Sequence, residues 1–222
     1  MPFLLGLKIQ DLFSGILLRY LAHSLSVAES PTLAFEQSWD GCNYNMILGH
    51  TRGTITVIDG VVAGAFRNER SSRIGEYPGF SANGLFSDAP QAIRDIAATD
   101  TLEYLYDHMD GATMPVATTA FWSEGDDLLS CDTEEDFCEQ GGDLIMGFAA
   151  PAQEIYEDVR EEYELGDEQI KGLDLLTKSK GGLLFKPFAI SSSELFRMVG
   201  ENPKGILECI RALKDINIEV LP

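Results

Sequence analysis

Arg52, Arg67, Arg70 and Arg73 fall in one short stretch of the chain. Guanidinium forks bind phosphates and carboxylates in a bidentate fashion, so four that converge would hold a phosphate, a nucleotide or a partner's carboxylate. What would make them converge is a hairpin. Thr54–Ile58, then Asp59-Gly60, then Val61–Phe66 reads as two strands joined by a two-residue type I′ turn. Ile58 then opposes Val61, and each outward step pairs Thr56 with Ala63, Thr54 with Ala65 and Arg52 with Arg67. Ile55, Val57, Val62 and Phe66 share the face expected to meet the core. Like charges directly opposed on a sheet are unfavourable by a few tenths of a kcal/mol or more, so this pair calls for a counter-ion. Either an external anion supplies it, or an internal acid does: Glu69, Glu76 or a residue of the acidic middle of the chain.

That acidic middle is the second chemical feature. Asp and Glu number 36 against 16 Lys and Arg, a formal charge of −20. Residues 1–94 carry −1 and residues 160–222 carry −2, which leaves −17 on residues 95–159, a stretch without a single Lys or Arg. Such a charge repels nucleic-acid phosphate and anionic lipid, so neither is an expected partner. Leu102, Leu105, Tyr106, Met109, Phe121, Trp122, Leu144, Ile145 and Phe148 lie in the same stretch, so the acid is displayed on folded structure rather than on a disordered tail.

Nine carboxylates fall within residues 124–143: Glu124, Asp126, Asp127, Asp132, Glu134, Glu135, Asp136, Glu139 and Asp143. An EF-hand loop starting at Asp132 would need glycine where Phe137 stands. A catalytic carboxylate pair needs enclosure that splits its two pKa values, and a solvated run does not provide it. A docking surface for a basic protein needs only clustered acid beside apolar anchors, here Trp122, Leu128, Leu129 and Phe137. A helix opening at Pro151, with Ile155, Val159 and Tyr163 inward, would add Glu154, Glu157, Asp158, Glu161 and Glu168 on its outer face. Residues 95–168 are therefore the expected interface. A solvated surface with no partner is the plainer alternative.

Other chemistries find little material. Cys42, Ser38, Asp40 and His50 are near in sequence, but three histidines (His23, His50, His108) leave little for a triad or a zinc site. None of the four cysteines, Cys42, Cys131, Cys138 and Cys209, forms a CxxC pair. There is no Gly-x-Ser-x-Gly, Walker loop or His-Glu-x-x-His. No catalytic residue, metal ligand or cofactor is assigned, and the expectation is a binding protein rather than an enzyme. Without a basic, uninterrupted apolar leader, a cytoplasmic location with reduced thiols is expected; a Cys131–Cys138 bridge would require an oxidising compartment.

The elements that position these groups follow from patterning. Leu5, Ile9, Leu12, Phe13, Ile16, Leu17 and Tyr20 predict an amphipathic first helix. Leu33–Ser38 and Asn43–Leu48 predict strands about a turn at Asp40-Gly41, with Trp39 packed over the sheet. A loop rich in Gly, Ser, Asn and Pro runs from Asn68 to Phe86. Ser87 or Asp88 with Gln91, and Asp100 with Glu103, read as helix starts, the second placing Leu102, Leu105, Tyr106 and Met109 on one face. Val116–Ser123 and Leu144–Phe148 read as strands. Ser191 with Glu194, and Asn202 with Pro203, open the last two helices. The layout is α+β: an antiparallel sheet with a central β-hairpin meander flanked by several helices, taken as a single domain over 1–222 because no linker is visible.

The segments Ser38-Trp-Asp-Gly-Cys-Asn-Tyr-Asn45, Arg52-Gly-Thr-Ile-Thr56 and Ala65-Phe-Arg-Asn-Glu69 resemble bacterial immunity proteins encoded beside secreted antibacterial toxins. The resemblance implies an acidic domain that binds a basic toxin and occludes its active site, and it transfers no individual functional residue. A small-molecule or nucleotide-binding enzyme built on the arginine cluster is the alternative.

Overall fold

A computed structural model describes residues 1–77, 79–181, 183–200 and 204–222. In chain order the elements are β1 (Phe3–Lys8), α1 (Ile9–Glu29), β2 (Gln37–Asp40), β3 (Asn43–Leu48), β4 (Thr51–Ile58), β5 (Val61–Asn68), α2 (Gln91–Ile96), β6 (Tyr106–Met109), β7 (Ala112–Pro115), β8 (Thr119–Glu124) and β9 (Asp127–Ser130). They continue with α3 (Glu134–Phe137), α4 (Asp143–Phe148), α5 (Ala152–Glu162), α6 (Asp167–Lys180), β10 (Phe188–Ser191), α7 (Ser192–Val199), α8 (Ile206–Asp215) and β11 (Ile218–Leu221). The fold is α+β, with a seven-stranded antiparallel sheet in the order β1-β9-β8-β5-β4-β3-β2. No helix among the described residues is long and apolar enough to cross a membrane.

The chain forms two compact units: a sheet unit of residues 1–9 and 40–146, and a helical unit of residues 10–39 and 147–222. It passes between them at three points without a linker-like sequence, so composition marks no boundary.

In the sheet unit the central hairpin has the register that its turn dictates. Ile58 pairs with Val61, Thr54 with Ala65 and Arg52 with Arg67. Asp59 and Gly60 both take positive φ, 51° and 80°, as a type I′ turn requires. Both faces of these strands are buried. On one, Ile55, Val62, Phe66 and Phe121 are fully covered, the Phe66 and Phe121 rings stacking at 6.0 Å and lying over Gly53 and Gly64. On the other, Ala63, Ala65, Ala120 and Trp122 pack against Ala82, Leu85, Phe86, Ile93, Leu102 and Leu105. Thr56 on that face donates to Asn43 at 2.7 Å and accepts from Thr101 at 2.9 Å, so its buried hydroxyl is satisfied.

Four expected elements differ. Residues 3–8 are a strand, not the start of the first helix: Phe3 and Leu4 pair with Ser130 and Leu129, and that long-range ladder outweighs the local spacing of Leu5 with Ile9. Leu33–Ser38 is a 3₁₀ turn over Pro31–Phe35 followed by β2. The helix expected after Asp100 is an irregular helical turn that ends in the hairpin β6–β7, closed by Asp110-Gly111 with φ of 48° and 84°. Leu144–Phe148 is the helix α4 rather than a strand.

In the helical unit α1 is buried from Leu12 to Ala28 on nearly every side. A Cβ on its Gly15 would stand 1.6 Å from the Phe148 carbonyl oxygen, so this close approach of backbone requires glycine. Arg19 donates to Asp158 at 3.0 Å and to Glu162 at 3.1 Å on α5. Ile155 and Val159 are buried, while Glu154, Glu157, Asp158, Glu161 and Glu168 face out. Ser191 and Glu194 form a reciprocal capping box at the start of α7. Asn202 and Pro203 lie outside the described residues.

Candidate partner-binding surface

The arginine rim resolves into internal ion pairs. Asp107, carried by β6, stands between the opposed Arg52 and Arg67 and accepts from both: from Arg52 at 3.5 Å, and from Arg67 in the closer contact. Arg67 also donates to Glu69 at 3.0 Å. The Arg67 guanidinium holds the Asp107 carboxyl below its ordinary value, with the His108 backbone N–H adding to the effect. Arg73 turns to a different acid. Its two terminal nitrogens meet both oxygens of Asp132 at 2.8 Å, one of them also donates to the Thr118 carbonyl at 2.6 Å, and the guanidinium lies over Phe80. Asp132 is 9 % exposed and takes a further bond from Thr119 at 2.6 Å. Arg70 is exposed and makes no ion pair among the described residues. The four arginines therefore do not form one anion site: Arg52, Arg67 and Arg73 are neutralised in place.

The same pairing reshapes the acidic surface. Asp132 is part of the interior rather than a partner contact. Trp122 and Phe137, expected as exposed anchors, are both wholly buried. Trp122 packs on Phe86 at 6.4 Å, and Phe137 meets Phe121 edge to face at 6.3 Å over Gly142. They sit inside because β8 is flanked on both sides and α3 turns its one aromatic under the sheet.

In the sheet unit Glu124, Asp126, Glu134, Glu135 and Asp136 remain exposed, as do Glu139 and Asp143. Glu124 and Asp126 occupy the tight turn between β8 and β9. Asp127, beside them, is paired with Lys8. Glu134, Glu135 and Asp136 form the first turn of α3, where Thr133 caps the helix by accepting from the Asp136 N–H. The segment that follows is tied to the body of the unit. Thr118 donates to the Gln140 carbonyl at 2.6 Å and Asn68 to the Glu139 carbonyl at 3.3 Å, alongside the Arg73–Asp132 fork. The acid is held on ordered backbone. In the helical unit, Glu154, Glu157, Asp158 and Glu161 line the outer face of α5, with Asp158 engaged by Arg19.

Apolar anchors come from the strand that precedes the first helix. β1 is the edge strand of the sheet beside β9, and it exposes Phe3 (46 %) and Leu4 (64 %). It runs next to the Glu124–Asp127 turn through Lys8 opposite Asp127, and α3 packs close to it. An edge strand with two exposed apolar side chains and acid close by is thus assembled from residues far apart in sequence.

The suggested nucleophile set is not assembled. Cys42 and His50 flank opposite ends of β3, and six residues of strand separate their surroundings by about 20 Å. Burial pushes the Cys42 thiol up, away from a reactive thiolate. All four cysteines are free, and no group of three or more His, Cys, Asp or Glu among the described residues is placed to hold a metal ion. Comparisons with protein-family models, with curated proteins and with solved structures find no match to this chain.

Proposed function

We propose that the protein is an acidic binding module that engages a basic protein partner and neutralises it by occluding its active site, in the manner of an immunity protein against an antibacterial toxin. One observation carries the reading. In the sheet unit 19 carboxylates face 6 Lys and Arg, and four of those six bases are spent on internal ion pairs. Part of the surplus acid, the Glu124–Asp126 turn and the first turn of α3, therefore lies at the surface beside the apolar edge of β1. Charge arranged this way accelerates encounter with a basic partner, and the edge strand with Phe3 and Leu4 supplies what charge alone does not, a short-range anchor.

The test is capture of a basic protein by the full chain from its own organism at low salt, repeated with two variants. Leu4→Lys removes the anchor, and a Glu134→Gln, Glu135→Gln, Asp136→Asn triple variant removes the α3 charge. Recovery of one basic protein in 1:1 ratio by the wild type, weakened in both variants, supports the reading. Recovery of nothing basic, or equal recovery by both variants, overturns it.

A further inference from the structure

In the helical unit β10 and β11 form a parallel pair that no third strand joins among the described residues, with Ala189 beside Glu219 and Ile190 beside Val220. Successive side chains point to opposite faces. Ile190 and Ile218 are buried on one face, α7 packs close to both strands, and α8 packs close to β11. The other face carries Ala189, Glu219 and Leu221, all exposed. Parallel strands occur almost only in sheets covered on both faces, and two strands alone are marginal in water, so this pair lacks a cover on one side.

An open groove of about 670 Å³ runs beside the pair, lined by Phe188 and Ala189 of β10, Ile210 and Lys214 of α8, and Glu219 and Val220 of β11. Ile210 and Lys214 share one stripe of α8 with Leu207, at i, i+3 and i+7. Leu207 is 61 % exposed, and Leu221, next to Val220 at the end of β11, is 44 % exposed. Apolar side chains thus line and flank the groove, and its two charged side chains have opposite sign. Neither Lys214 nor Glu219 makes an ion pair among the described residues. This balance selects the occupant. A basic protein would meet a base for every acid here, unlike on the acidic edge of the sheet unit. A second copy fits, because a two-fold axis sets residue i against j and j against i, so one Lys and one Glu on the same groove are self-complementary.

We propose that this groove is the interface of a homodimer, in which a two-fold axis sets Lys214 of each copy against Glu219 of the other and packs Leu207, Ile210 and Leu221 against the second copy. The dimer covers the open side of the β10–β11 pair and removes the exposed apolar stripe of α8 from water. It does not rest on the binding of a basic partner, and a dimer that captures such a partner on each subunit keeps the one-to-one ratio.

Sedimentation velocity of the full chain from ~1 to ~300 μM should show a reversible monomer–dimer transition. Lys214→Glu and Glu219→Lys alone each turn two attractive pairs into repulsive ones and should weaken dimerisation by about tenfold or more. The double variant Lys214→Glu with Glu219→Lys restores both pairs with their signs exchanged, and should bring dimerisation back to within about threefold of the wild type. Both side chains are exposed, so the urea midpoint should stay within the range of surface substitutions, and a rescue by the second exchange cannot come from a damaged fold. A monomer at every concentration overturns the proposal, as does a dimer that either single variant leaves intact, or a double variant no stronger than the singles. Leu4→Lys should leave the dimer unchanged; a dimer lost in that variant belongs to the β1 edge and overturns the proposal too.

Discussion

Asp107 and Asp132 between them engage three of the four arginines. Asp107 is 40 % exposed and bridges two opposed guanidiniums, whereas Asp132 is almost buried and holds Arg73 with both oxygens. Removing one partner of a buried pair leaves an uncompensated charge, so Asp132→Ala should destabilise the fold by about 3 kcal/mol. Glu124→Gln, at an exposed turn, should stay within ~0.5 kcal/mol, and urea titration of both variants measures the contrast. Lys180 offers a second test. It is fully buried on α6 and donates to the carbonyls of Lys186 and Ile216 at 2.6 and 2.5 Å. Burial, with the Lys186 charge adding to it, pushes its ammonium down to about 8 from an ordinary 10.5. Between those values the unfolded chain binds more protons than the folded one, so this group's contribution to stability rises with pH across that window and is flat on either side. Lys180→Met should remove that part of the slope, read as the difference between the two stability–pH curves. The need for a counter-ion at Arg52 and Arg67 was legible from the turn alone. That Asp107 meets it was not, because it lies 40 residues beyond Arg67 and arrives on a hairpin that helical spacing concealed.

Among the elements, local chemistry was decisive wherever a turn left no alternative. Asp59-Gly60 imposes its register on eight residue pairs without help from the rest of the chain. Asp110-Gly111 is the same dipeptide with the same left-handed backbone, yet Leu102, Leu105, Tyr106 and Met109 repeat at a helical period and point to a different element. Tertiary packing settles that competition: Leu102 and Leu105 are buried against the sheet, and the chain turns to strand at Tyr106. β1 is a similar case, a strand made by its partner β9 rather than by its own pattern. The central strands carry glycine where aromatic rings cross them. A Cβ on Gly64 would lie 2.1 Å from Phe121 Cε1, and one on Gly53 would lie 2.3 Å from Phe66 Cδ1. Overpacking of this kind costs about 1–3 kcal/mol, because a stacked, enclosed ring has no empty rotamer to move into. Gly64→Ala should therefore lower the urea midpoint by the equivalent of about 2 kcal/mol. Gly64→Ala with Phe121→Leu should recover part of that loss, which a purely backbone effect would not allow.

At the scale of the whole molecule the charge divides unevenly between the two units. The sheet unit carries −13 and the helical unit −7, although the helical unit holds 10 of the 16 Lys and Arg. The helical unit mixes signs along its helices, as in the Lys171–Glu168 and Lys178–Asp174 pairs, which leaves a weaker long-range field. The sheet unit commits Lys8, Arg52, Arg67 and Arg73 to Asp127, Asp107, Glu69 and Asp132, the N-terminal ammonium pairs with Asp88, and its other carboxylates make no ion pair among the described residues. Such a field acts mainly on association rate, because exposed charges more than a Debye length apart are screened at ordinary salt while short-range contacts persist. For the captured basic partner, raising ionic strength from ~0.02 to ~0.5 M should lower the association rate constant by at least tenfold and leave dissociation nearly unchanged. The Glu134→Gln, Glu135→Gln, Asp136→Asn variant should flatten that salt dependence, and Leu4→Lys should instead raise the dissociation rate. Stopped-flow binding at several salt concentrations separates the two effects. A salt-independent association rate would mean that the acid on this unit does not steer the partner.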